Sequence, residues 1–136
     1  MITPNTEKYQ VLHQNIEDIS WISGECLIMR EVGSGTRKEA GKQLRNAGIN
    51  LDKLKIIASI ENQETIKKSV KQGMGISIIS RLAAEEETKS GDLLTFPIPK
   101  ADQGRDINLV YNKNYQISKS AERFVKVVKE VYGIEE

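Results

Sequence analysis

Glu31-Val32-Gly33-Ser34-Gly35-Thr36-Arg37 joins two segments of different periodicity. Before it, Cys26-Leu27-Ile28-Met29 is an unbroken apolar run of strand length. After it, Ala40, Leu44 and Ala47 fall on one face of a helix that Gly48 stops, and Thr36 and Glu39 have capping-box spacing. A buried strand that passes through a glycine-rich turn into a helix is the building unit of parallel sheets.

The same unit recurs downstream. Leu54–Ile60 predicts a strand with Ile56, Ile57 and Ile60 as its apolar members, followed by a helix from Asn62 or Gln63 to Gln72. That helix carries Ile66 and Val70 four residues apart and ends at Gly73. Gly73-Met74-Gly75 returns tightly into a strand at Ile76–Ser80, and a short helix follows near Leu82–Thr88. Upstream, Met1–Thr3 has the look of a strand end stopped by Pro4-Asn5, and Ile16–Ile19 that of one helical turn. Extended chain is expected at Leu93–Ile98, a polar loop at Lys100–Asp106, and a strand at Ile107–Tyr111. A last helix starts at Ser118 or Ser120, aligns Ala121, Phe124, Val125, Val128 and Val131, and stops at Gly133. Strand and helix alternate throughout, which predicts an α/β fold in three layers, a mainly parallel sheet flanked by helices on both faces.

Charge narrows the function. Twenty basic residues stand against 19 acidic ones, mixed along every segment, so the basic stripe of a nucleic-acid surface is missing and direct DNA binding by this chain is not expected. Apolar runs stay far below bilayer-spanning length, and Met1-Ile2-Thr3-Pro4 has neither the basic start nor the apolar stretch of an export signal, so a cytoplasmic location is expected. The single Cys26 and single His13 offer neither a disulfide nor a metal set, and no cofactor is expected. Cys26 suits a small buried hydrophobe, His13 a solvated loop, and Glu85-Glu86-Glu87 with Lys89 a solvated helix face.

Two junctions have the makings of a binding site. At Gly33, Ser34, Gly35 and Thr36 the glycines let a ligand approach the backbone, and the first helical amides point outward under the positive end of the helix dipole. Such an end suits a carboxylate, sulfate or phosphate, with hydroxyls from Ser34 and Thr36 and charge from Arg37. Taken alone, the same residues favour a plain helix cap on a glycine turn, with ligand binding as the second reading. The second junction, Ser59-Ile60-Glu61-Asn62-Gln63-Glu64, again places a strand end before a helix start, where ligands of open α/β sheets collect, with Ile60, Glu61, Asn62 and Gln63 as its lining positions. No phosphate-binding Gly-x-x-x-x-Gly-Lys run is present, and the dinucleotide fingerprint lacks its third glycine. Ser34 has no histidine near it in sequence to activate it, so no catalytic residue is assigned.

The succession Arg30–Arg37, then Glu61–Val70, then Gly73-Met74-Gly75-Ile76-Ser77-Ile78-Ile79-Ser80, with Leu93–Ile98 beyond it, resembles the effector-binding domain of LysR-type transcriptional regulators. The resemblance implies a periplasmic-binding-protein-like architecture of two lobes around a small effector. It assigns residues 1–98 to the second lobe, and residues 99–136 to a crossover strand and C-terminal helix returning to an incomplete first lobe. It further implies a small anionic effector lined by the two junctions, a homodimer, and DNA contact only through a helix-turn-helix domain absent from this chain. A fragment of a solute-binding protein and an enzyme with a phosphate-gripping turn are the competing readings.

Overall fold

The computed structural model describes residues 1–101, 107–112 and 114–133. The chain divides into two units, Met1–Asp102 and Gln103–Glu136. In the first, strands β1 (Ile2–Pro4), β2 (Cys26–Arg30), β3 (Lys55–Ile60), β4 (Ile76–Ser77) and β5 (Leu93–Thr95) form one sheet in the order β3-β2-β4-β1-β5. Strand β2 runs parallel to both β3 and β4, while β1 lies antiparallel between β4 and β5. Four strands therefore share a direction and β1 opposes them. Helices α1 (Glu7–Leu12), α2 (Gly35–Asn46), α3 (Gln63–Lys71) and α4 (Glu85–Lys89) complete the unit.

Alternation along β2 divides the core. Leu27 and Met29 pack with Ala40 and Leu44 of α2, with Tyr9, Ile22 and Phe96, while Ile28 faces Ile66 and Val70 of α3, Ala84 and Leu93. The sheet is thus covered on both sides, as three layers require. Complete burial of Ile66 and Val70 stabilises α3 on the sheet by roughly 1.5–3 kcal/mol each. Gly75 explains the tight return into β4: a Cβ there would stand 2.5 Å from the Cys26 carbonyl oxygen, so only glycine lets the two backbones meet.

Several expectations are refined. His13 is not a free loop residue, since its Nε2 lies 3.0 Å from the Thr95 carbonyl and its ring meets Phe96 edge-on at 5.0 Å. Trp21 meets the same Phe96 at 5.1 Å, so an aromatic cluster fastens the irregular segment after α1 to the sheet. Cys26 is half-buried at the start of β2. Ile56 and Ile57 are each 44% exposed, because β3 is an edge strand that has β2 alone as neighbour among the described residues. Glu87 departs from the solvated acidic face by turning inward to the buried Lys67, with Oε1 2.7 Å from Nζ. Glu85 and Lys89 form an exposed pair, as such a face would.

The second unit holds α5 (Lys119–Tyr132), capped by the Ser118 hydroxyl and ended by Gly133 in the left-handed conformation. Its apolar stripe is present, but α5 buries none of its residues. Residues 107–112 form no strand. Alternating apolar residues make a strand only where a neighbouring strand takes up their amides and carbonyls, and among the described residues none does. The polar loop expected at Lys100–Asp106 falls mostly outside the described residues.

Candidate functional site

The two junctions singled out in the sequence lie side by side. Strand β2 ends at Arg30 and β3 at Ile60, and these two residues are register partners. Since the strands are parallel, both chains leave the sheet at the same rim, which is where α2 and α3 begin.

Each helix starts in the same way. Ser34, in extended conformation, caps α2 by accepting the Arg37 amide on Oγ at 3.4 Å. The cap is Ser34 rather than the capping-box Thr36, because the helix already begins at Gly35. Gly33 makes the preceding turn with φ of +94°, a conformation that L residues rarely adopt. Asn62 caps α3, its Oδ1 accepting the Thr65 amide at 3.0 Å. In both helices the cap satisfies the third amide and leaves the first two, of Gly35 and Thr36 and of Gln63 and Glu64, without an intrahelical acceptor. Two positive helix ends therefore open on one rim. Gly33, Gly35, Glu61 and Asn62 are exposed there, while Ser34, Thr36, Ile60 and Gln63 are half-buried.

Arg37 spans the rim. Its Nη1 donates to the Arg30 carbonyl at 2.8 Å and to the Ser59 hydroxyl. Arg30 and Glu31 form a bidentate pair at 2.8 and 3.0 Å, and this guanidinium holds the Glu31 carboxyl below the usual carboxylate range. The one acid nearest the turn in sequence is thus neutralised locally, and both acceptors of Arg37 are uncharged. Ser59 opens the second junction in the sequence, but the sequence alone assigns it no role. The available signal was its position near the end of the strand expected to neighbour β2, but the bond depends on register, which the sequence does not reveal.

The rim is open. A groove of about 530 Å³ lies elsewhere, against α1, lined by Val11, Leu12 and Trp21 with Glu7, Lys8 and Glu25. A hollow of about 270 Å³ sits near Arg81, Lys89 and Thr95. Neither includes a residue of the two junctions. Among the described residues, no His, Cys, Asp and Glu side chains group as a metal site, and no helix is long and apolar enough to cross a membrane.

The family model for the LysR substrate binding domain matches residues 10–133. The HTH-type transcriptional regulator CbbR of Rhodospirillum rubrum is 32% identical over 108 residues, 79% of this chain and 35% of that protein. The uncharacterized HTH-type transcriptional regulator YeiE of Escherichia coli K12 is 31% identical over 98 residues, 72% of this chain and 32% of its own length. The HTH-type transcriptional activator CmpR of Synechocystis is 33% identical over 101 residues, 74% of this chain and 32% of that protein. The chain thus spans about a third of the length of these relatives.

Proposed function

The chain belongs to the LysR substrate-binding domain family, and on that premise we propose that it is the second lobe of the effector-sensing module of a LysR-type transcriptional regulator. The observation that carries this reading is the pairing of Arg30 with Ile60, which sets two capped helix N-termini together at one rim. Uncommitted amides at Gly35, Thr36, Gln63 and Glu64, with the Arg37 charge beside them, suit a small anion. Gly33, Ser34, Gly35, Thr36, Ile60, Glu61, Asn62 and Gln63 line one wall of the effector cleft, and a first lobe supplies the other. Residues 99–136 carry the chain back to that lobe, which covers the apolar stripe of α5. DNA contact belongs to a helix-turn-helix domain outside this chain, consistent with a chain of near-balanced charge and with relatives named as HTH-type regulators. The regulator works as a homodimer, in keeping with the apolar residues that stand exposed on α5.

An amide-resolved NMR titration with sulfate, phosphate and small carboxylates tests the site. The amides of Gly35, Thr36, Gln63 and Glu64 are expected to shift together, with millimolar affinity, about 4 kcal/mol, for one wall acting alone. Shifts confined to other surfaces, with these four amides silent, would remove the assignment.

A further inference from the structure

We infer that Arg37 is a positioning residue that couples the two turns of the rim, so that an anion held at the α2 turn changes the geometry at the start of α3. The inference rests on the anion reading of the rim proposed above. Three bonds converge on this residue. Its backbone amide is the one that Ser34 caps, and its guanidinium donates both to the last carbonyl of β2, at Arg30, and to the Ser59 hydroxyl on β3. Ser59 lies three residues before Asn62, the cap of α3.

Topology makes the bond to Ser59 matter. Among the described residues, strand β3 is the sheet's edge and has β2 alone as neighbour, so its carboxyl end is gripped from one side. The ladder is regular there, with Met29 opposite Ser59 and Arg30 opposite Ile60, and its register shift lies upstream, between Leu27 and Ile28. A side-chain tie from α2 to Ser59 therefore adds a second hold to an end that the ladder grips from one side only.

Charge supplies the switch. Arg37 is bound by two neutral oxygens, while Arg30 takes up the Glu31 carboxylate. An anion at Gly35 and Thr36 competes for the guanidinium, because it adds the attraction of a full opposite charge to a bond that the Arg30 carbonyl and the Ser59 hydroxyl make with neutral oxygens. Movement of Arg37 toward it frees Ser59 and loosens the approach to Asn62.

Two measurements on the full chain decide the matter. In the first, sulfate is titrated into wild type and Ser59→Ala. The variant keeps the Arg37 charge, the α2 turn and the free amides of α3, so the direct responses of Gly35, Thr36, Gln63 and Glu64 are expected to persist while the response at Ile60 and Glu61 collapses. An unchanged response at Ile60 and Glu61 overturns the coupling. In the second, without ligand, amide exchange over Ser59–Asn62 is compared in wild type, Arg37→Gln, Ser59→Ala and the double variant. Each single change is expected to accelerate exchange about tenfold, as for loss of one bond from a charged donor, and the pair no further. Exchange as slow as wild type in Ser59→Ala overturns the tie, whether or not Arg37→Gln folds. If sulfate leaves Gly35 and Thr36 silent in wild type, the anion reading fails, and the exchange series still decides whether Arg37 holds the end of β3.

Discussion

Replacing Lys67 by methionine tests how a charge is tolerated inside this lobe. Lys67 is only 7% exposed, yet it lies on α3 between Ile66 and Val70 with its Nζ 2.8 Å from Glu64 and 2.7 Å from Glu87. Glu64 reaches out to solvent, whereas the Glu87 side chain is 21% exposed and its Oε2 is buried without a hydrogen-bond partner. Methionine keeps the apolar stem but leaves two carboxylates facing each other with no cation. Exposed ion pairs contribute at most about 1 kcal/mol, and stranding one partner of a fully buried pair costs about 3–5 kcal/mol. This pair lies between those limits, so Lys67→Met should destabilise by about 2 kcal/mol at neutral pH, or roughly 10 °C in Tm for a domain of this size.

The pH dependence gives the sharper test. The Lys67 ammonium holds the Glu87 carboxyl below its usual range, and the two carboxylates hold Lys67 above its own. The stability from Glu87 is present above the unfolded carboxylate pKa near ~4.3 and is lost as pH falls through the lower folded value; that from Lys67 is present below ~10.4 and lost as pH rises through the higher folded value. The deficit of Lys67→Met should therefore be flat from about pH 5 to 9 and should shrink in acid, where the stranded Glu87 takes up a proton. Adding Glu87→Gln should restore part of the loss. Thermal melts across this range decide it: a variant that melts with wild type at pH 7, or one whose deficit is as large at pH 3.5, refutes the reasoning.

Two further outcomes are expected. Gly75→Ala should cost about 1–3 kcal/mol in urea unfolding, because its Cβ would meet the Cys26 carbonyl oxygen at 2.5 Å and that atom belongs to strand backbone; a midpoint unchanged from wild type would show that β2 and β4 can part freely. The purified chain should self-associate, since Ile107 and Val110 are 95% and 85% exposed and Phe124 and Val131 stand open on α5, and a concentration series by light scattering that stays at 15.3 kDa would contradict this.

Local pattern carried much of the reading from sequence. Strand β2, the Gly33 turn and α2 were legible because apolar run, turn and helical face succeed one another within some twenty residues. Side-chain chemistry beside a periodic segment narrowed two helix starts to Ser118 or Ser120 and to Asn62 or Gln63, and the caps are Ser118 and Asn62. What escaped depends on partners distant in the chain. Whether Ile107–Tyr111 forms a strand is decided by a neighbour, not by its own alternation. Lys67 and Glu87 each look solvated alone, and only the packing of α3 beside α4 brings them inside. At the rim, the two junctions were identifiable one by one, but their adjacency comes from the Arg30–Ile60 register, and the Arg37 bridge follows only from that.

The placement of β1 has a consequence for how the lobe assembles. Ile2 is flanked by Ser77 on one side and Thr95 on the other, and the Phe96 amide donates to the Met1 carbonyl at 2.8 Å. As the polypeptide emerges from the ribosome, β2, β3 and β4 can pair with their intervening helices already made, and β1 can join β4 once residue 77 has appeared, yet β1 finds β5 only after residue 95. Until then the other flank of β1 is bare, although Ile2 and Thr3 are both destined for the interior. The β1–β5 pairing closes the largest loop of the sheet, and the interval before it is when that flank is most open to pairing with another nascent chain.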